Sequence, residues 1–362
     1  MSKVLISGYY GFHNAGDDSV LYGIITSLHK NNSNIELSVL SNDPKKTESM
    51  FDIPAFNRWN LLEVTKQIKN HDLLLMGGGS LLQDATSPRS VLYYLGLVFV
   101  AKLFRKPVVF YAQGVGPIQK RFSKRLIRYF VNKVDVITVR DDASAKDLES
   151  YGVTAPIVVT ADPAVTIEPE SIKRDIGKNL LKKIHLDGSK TIAISVRSWK
   201  KEQNYYNEIA QTADYYAEEG WSILFIAMHY PNDITACKNI MEKMSNQAYI
   251  IEEQLSFKEI MSVIGNVRFV IGMRLHSVIL AAIMNTPFVG ISYDPKVDRF
   301  VKRLDMLSAG HIKDLKSETL TNYVKQTIED EEQVKQTMQK KMKHIISEAE
   351  RSSQLTIEQL NK

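Results

Sequence analysis

Lys3-Val4-Leu5-Ile6-Ser7 runs into Gly8-Tyr9-Tyr10-Gly11-Phe12-His13-Asn14-Ala15-Gly16-Asp17-Asp18, and a helical pattern follows over residues 18–30. A short apolar run, a glycine-rich turn and an amphipathic stretch read as strand, loop and helix. The unit recurs: apolar runs at 36–40, 73–76 and 108–111 are followed by helical patterns at 61–69, 89–104 and 122–132. Continuous apolar strands separated by helices are the mark of a parallel sheet buried on both faces. The expected class is α/β, doubly wound.

Segments 134–139, 143–151 and 157–159 complete this first series, and Ala161-Asp162-Pro163 closes it. A polar, Lys-rich stretch follows, with Pro169 and Gly188, and then a second series begins at 191–196. It continues through 205–219, 222–228, 233–244, 248–251, 257–264, 269–272, 276–284 and 288–292. The expected division is a domain over 1–165, a linker region over 166–190 and a second domain over 191–362. Two Rossmann-like doubly wound domains facing a cleft are expected. Near the end, Val334, Met338, Met342, Ile345 and Ala349 make one apolar stripe, the signature of a C-terminal packing helix.

The 362 residues contain 46 Lys and Arg against 41 Asp and Glu, a net charge of +5. That mild excess suits small anions or an anionic membrane surface without calling for nucleic acid. Cys237, the single cysteine, excludes an internal disulfide and a cysteine-based metal site, and no cluster of His, Asp or Glu has ligand spacing, so no metal is expected. The chain starts directly on a strand and its longest apolar run, 91–101, is too short to span a bilayer. A cytoplasmic or peripheral protein is expected.

Ligands bind beyond the carboxyl ends of parallel strands, so chemistry is sought in residues that directly follow apolar runs. After the first strand come Asn14 and Asp17; after 73–76 come Gly77-Gly78-Gly79-Ser80 and Asp84. These residues offer hydrogen bonds suited to sugar hydroxyls. The glycine spacing matches neither a dinucleotide fingerprint nor a phosphate-binding loop that ends in Lys-Ser/Thr. In the second series Arg197 follows 191–196, Arg274-Leu275-His276 follows 269–272, and Lys296 follows 288–292. Arginines and a helix N-terminus at neighbouring strand ends suit a small ligand with more than one anionic group. His276 carries an imidazole, a side chain suited to acid–base work.

Read together, these motifs resemble the polysaccharide pyruvyl transferase family, particularly its bacterial cell-surface members that act on the secondary cell-wall polymer. The resemblance is carried by Gly8-Tyr9-Tyr10-Gly11 with Asn14-Ala15-Gly16-Asp17, Gly77 to Ser80 with Asp84, and Gly114-Val115-Gly116-Pro117. Arg140-Asp141 with Ser144, Asp162-Pro163, Ser195-Val196-Arg197, Arg274-Leu275-His276 and Tyr293 with Lys296 complete it. Asp18 departs from the pattern, standing where many members carry glutamate.

The resemblance implies two Rossmann-like halves similar to the GT-B arrangement. It also implies transfer of pyruvate from phosphoenolpyruvate onto a sugar of a cell-wall polysaccharide or its lipid-linked precursor, as a cyclic ketal with release of phosphate. Phosphoenolpyruvate is then a co-substrate and no cofactor is needed. Arg274 and His276 would be catalytic; Arg197, Arg274, Leu275, His276 and Lys296 would hold the donor in the second domain. Asn14, Asp17, Gly79, Ser80 and Asp84 would serve the acceptor in the first. A lipid-linked or polymeric acceptor at the inner face of the membrane fits Lys120, Arg121, Lys124, Arg125 and Arg128 around a stripe of Phe122, Leu126 and Phe130, beside Lys102, Arg105 and Lys106. Two other readings share the architecture: a GT-B glycosyltransferase using a nucleotide sugar, and a non-catalytic sugar- or anion-binding protein.

Overall fold

The computed structural model describes residues 2–84, 88–116, 118–199 and 203–362. They fall into two units. The first comprises residues 2–12, Asp17–Ile167 and Ile345–Lys362; the second comprises His13–Gly16 and Glu168–His344. Pro117, part of one motif above, lies outside the described residues.

The first unit contains strands β1 (Ser2–Ser7), β2 (Ile35–Ser41), β3 (Ala55–Asn57), β4 (Leu73–Met76), β5 (Gly79–Leu82), β6 (Val108–Val115), β7 (Val136–Val139) and β8 (Ile157–Val159). They form one parallel sheet of order β3-β2-β1-β4-β6-β7-β8, with β5 pairing β6. The central strands are buried along their whole length, which is why they read as unbroken apolar runs. Helix starts are fixed by side-chain caps: Asn60 accepts the N–H of Glu63 at 3.2 Å and Asp141 that of Ser144 at 2.8 Å.

The second unit holds β9 (Thr191–Ser195), β10 (Ser222–Phe225), β11 (Tyr249–Ile250), β12 (Phe269–Gly272), β13 (Phe288–Ser292) and β14 (Ser308–His311). Their order is β11-β10-β9-β12-β13-β14, again all parallel. The chain order therefore reverses between β9 and β12, which makes the carboxyl ends of these two strands the switch point where such sheets bind ligands. In the first unit the same reversal falls between β1 and β4.

Two segments differ from the sequence reading. The stretch over 166–190, expected as a linker region, is a packed part of the second unit from Glu168 onward. Its helix Arg174–Lys183 lies against the helix Phe257–Ile264, where Gly177 donates its N–H to Ser262 Oγ at 2.7 Å. A Cβ on Gly177 would clash with the Ser262 backbone, so glycine permits the approach. The final helix, Glu331–Leu360, buries Met338, Met342, Ile345 and Ala349, but from Ile345 onward it belongs to the first unit. There the buried stripe continues in hydroxyls: Ser352 Oγ lies 3.0 Å from both Thr138 Oγ1 and Thr160 Oγ1. Among the described residues no helix is long and apolar enough to cross a membrane.

Candidate active site

At the switch point of the second unit, Met273 donates its N–H to Ser195 O at 2.8 Å, so the segments leaving β9 and β12 depart side by side. Arg197 leaves from β9, Arg274 from β12 and Tyr293 from β13. Arg197 Nη1 donates to the Tyr293 hydroxyl at 3.2 Å, and its guanidinium lies 4.8 Å from the Tyr293 ring centroid and 5.1 Å from that of Trp199. Lys296 Nζ is 5.6 Å from the same Tyr293 ring and 3.6 Å from Asp294 Oδ2. Burial alone would push the Tyr293 phenol up; Lys296, Arg197 and Arg274 outweigh it and hold the phenol below the usual tyrosine range. Three of the cations chosen from sequence thus act on one buried phenol.

Arg274 is the N-cap of the helix Leu275–Ile283, and Leu275 is buried as that helix's first residue. Its guanidinium is committed on one edge. Nε donates to Asp233 Oδ2 at 2.9 Å and Nη2 to Oδ1, while Asp233 is 1% exposed. Asp233 Oδ2 also accepts the N–H of His229 at 2.9 Å. Sequence reasoning read Arg274 as a donor ligand; the structure adds that the edge of its fork bearing Nε is already paired, and only the edge carrying Nη1 lies outside that pair.

His276, the second residue of the same helix, is partly buried. A Cβ built on Gly16 would clash with Nδ1 and Cγ of its imidazole, so glycine at 16 lets the backbone lie against the catalytic candidate. The segment around Gly16 is held by the second unit. Asn14 bridges His229, Ala15 donates to Met228 O at 2.9 Å, and Tyr230 donates to His13 O at 3.1 Å. Asn14 Oδ1 accepts the Gly16 N–H at 3.2 Å. Asn14, read from sequence as an acceptor residue of the first domain, is placed in the second unit with His276.

The first unit has a polar cluster of its own at the ends of β5, β7 and β8. Arg140 Nη2 donates to Ser80 Oγ at 3.0 Å and Nη1 to Asp162 Oδ2 at 3.3 Å. A Cβ on Gly114 would come within 2.6 Å of that guanidinium. Gly79 has φ +104°, and a Cβ there would lie 3.3 Å from Asp17 Oδ1, which joins two of the expected acceptor residues. Asp84 is used differently: its carboxylate accepts the N–H groups of Gln119 at 2.8 Å and Lys120 at 3.0 Å. Burial opposes its charge, but these bonds and that of Ser123 prevail and hold it below the usual carboxylate range. Asp84 therefore anchors the turn before the helix Arg121–Val131.

Sequence reasoning missed Asp233 and gave Tyr293 no role. The signal for Asp233 was its place at the start of the helix Asn232–Met241, which follows β10 closely. It also passed over Arg58, whose buried guanidinium lies 4.5–5.5 Å from the ring centroids of Phe12, Trp59, Tyr93 and Tyr94 and donates to Gly8 O at 2.6 Å. It fixes the first glycine of the β1 loop.

This chain matches the family described as polysaccharide pyruvyl transferase over residues 14–295. It belongs to that family. The match runs from Asn14 through Pro295 and so takes in the strand-end residues of the second unit described above, Lys296 excepted. Among curated proteins, this pyruvyl transferase family member is similar to the amylovoran biosynthesis protein AmsJ of Erwinia amylovora, 23% identical, with 84% of this chain and 86% of AmsJ covered. Among solved structures it is similar to HepE of Anabaena in complex with UDP-glucose, at TM-score 0.70, 12% identity and full coverage of both chains. It is also similar to the UDP-GlcNAc 2-epimerase of Neisseria meningitidis, at TM-score 0.64, 15% identity and 99% coverage of both. At such identities the likeness is one of fold, the α/β, GT-B-like class.

Proposed function

We propose that this transferase moves pyruvate from phosphoenolpyruvate onto a sugar of a polysaccharide or its lipid-linked precursor, as a cyclic ketal. The carrying observation is the gathering of Arg197 and Lys296 on the Tyr293 ring, with Arg274 capping the helix Leu275–Ile283 at the end of the neighbouring strand. Phosphoenolpyruvate bears a phosphate and a carboxylate on one carbon. A binding site for it needs several cations within a few ångströms and helix amides for a phosphate oxygen, and these are the groups present.

The reaction adds a proton to the enol methylene and one sugar hydroxyl to the neighbouring carbon. Phosphate then leaves and a second hydroxyl closes the ring. Positive character develops at the central carbon, and each hydroxyl must lose its proton. His276 is the residue assigned to these proton transfers, held in place by its helix and by the backbone at Gly16. Arg197, Arg274 and Lys296 hold the donor and stabilise the leaving phosphate; Leu275 contributes its place in the first turn of the helix. Asp17, Gly79 and Ser80 are assigned to the acceptor. No cofactor takes part.

The donor assignment is tested by thermal stabilisation with phosphoenolpyruvate beside uridine diphosphate. Stabilisation by phosphoenolpyruvate that is lost in Arg197→Ala supports it. Stabilisation by uridine diphosphate alone favours nucleotide-sugar transfer instead.

A further inference from the structure

Between Asp84 and Asp135 the chain contains ten Lys or Arg and no Asp or Glu, whereas its net charge is only +5. The rest of the protein is therefore net negative. This cationic span builds the helices Pro88–Leu103 and Arg121–Val131, which meet where the rings of Phe99 and Phe130 pack edge to face at 6.3 Å.

The outward faces of these helices are not those of a water-exposed surface. Leu92, Gly96, Phe99 and Leu103 recur at intervals of four, three and four, one stripe of a helix, and Phe99 is 54% and Leu103 66% exposed. On the second helix the stripe of Phe122, Leu126 and Phe130 expected from sequence is divided. Leu126 and Phe130 pack against the core, while Phe122 at 63% and Tyr129 at 58% exposure face outward among exposed Arg121, Arg125 and Arg128. Large exposed rings set among three exposed arginines make a face of opposite character to a soluble one.

We propose that this face of the first unit docks on an anionic phospholipid bilayer. Phe99, Leu103, Phe122 and Tyr129 reach the headgroup–acyl boundary, and the arginines and lysines meet lipid phosphates. Charge complementarity selects this occupant. A second copy of the chain would set exposed Arg121, Arg125 and Arg128 against cations of the same sign. The proposal does not depend on the donor assigned above, since it concerns binding without substrate.

The test is sedimentation of the full-length protein with vesicles of phosphatidylglycerol and phosphatidylcholine in equal amounts, against vesicles of phosphatidylcholine alone, at low and high salt. The expected result is binding to the anionic vesicles that weakens with salt. Arg121→Gln/Arg125→Gln/Arg128→Gln is expected to lose on the order of 100-fold in affinity, and Phe99→Ser/Phe122→Ser to lose the part that survives high salt. Arg105→Gly/Lys106→Gln/Lys133→Gln probes the same charge outside both helices and is expected to weaken binding if the triple helix variant fails to fold. Arg105 has φ +56°, a conformation glycine accepts. No binding at low salt, equal binding to both vesicle types, or indifference to the charge variants overturns the proposal. So does a dimer in gel filtration that Phe99→Ser/Phe122→Ser abolishes while vesicle binding is absent.

Discussion

Arg274 grips Asp233 at two points, and Asp233 in turn receives the N–H of His229, so a cation beside the proposed donor site is oriented by a carboxylate contributed after β10. The two residues are 41 positions apart in sequence. Removing one member of such a buried pair leaves the other uncompensated, at a cost of about 3–5 kcal/mol. Arg274→Ala is therefore expected to lower stability as well as activity. Arg274→Ala/Asp233→Asn is expected to regain much of the stability and none of the activity. Denaturant titrations of the two variants beside turnover check this; equal stability of Arg274→Ala and wild type would refute the pairing.

Gly16 leaves the imidazole of His276 its space. A methyl group there must displace the ring, and misplacing a catalytic group by about 1 Å costs on the order of 100-fold. Gly16→Ala is expected to lose about that factor in kcat with phosphoenolpyruvate affinity little changed. A loss confined to affinity would place His276 among the binding residues.

The Tyr293 phenol shares its cations with the proposed donor. Because these cations hold it below the usual tyrosine range, it ionises earlier as pH rises, and its phenolate then competes with the anionic donor for them. Phosphoenolpyruvate binding is expected to weaken on the alkaline side, and Tyr293→Phe to flatten that limb. Calorimetric binding across pH reads it, and an unchanged alkaline limb in Tyr293→Phe speaks against the arrangement.

Asp18 is pushed up to about 7, first by burial and then by the charge of Asp17, with Lys46 pulling the other way. The folded protein therefore keeps a proton that the unfolded chain releases from about pH 4 upward. Stability falls as pH rises through that window to about pH 7, by about 1.4 kcal/mol per unit, and the penalty is complete above it. Asp18→Asn removes the dependence. Its stability gain over wild type is expected to be small near pH 4 and to reach a few kcal/mol near pH 8; a gain that does not change with pH would contradict the burial of this carboxyl.

The fold was legible wherever a strand is buried on both faces. The runs at β4, β12 and β13 were read to the residue, because burial on both faces keeps them almost wholly apolar. Ala55–Asn57 and Ser308–His311 escaped because they are short edge strands with little apolar sequence, and Gly79–Leu82 because its glycine read as loop. The end of the last helix was misassigned for a related reason. Its contacts with the first unit run through Ser352 and Ser353 hydroxyls, and a buried serine looks like a surface one in sequence.

In the site, Arg197, Arg274 and Lys296 stood out as charges that directly follow apolar strands. Asp233 did not, since an acid in the first turn of a helix ordinarily reads as a dipole partner. Asp84 read as a sugar ligand because side-chain chemistry alone does not tell that two backbone N–H groups already occupy it. Asn14 sits in the loop after the first strand, and its pairing with His229, with the backbone bonds of Ala15 and His13, assigns it to the second unit.

The central claim is that phosphoenolpyruvate donates its pyruvyl group to a sugar. Its most direct measurement is mass spectrometry of candidate lipid-linked and free saccharides after incubation with the protein and phosphoenolpyruvate, with inorganic phosphate followed in parallel. The account requires an acceptor that gains the mass of pyruvic acid less one water, one phosphate released per product, and loss of both in His276→Ala. Transfer of a hexose from a nucleotide sugar to the same acceptors, with phosphoenolpyruvate left intact, would contradict it.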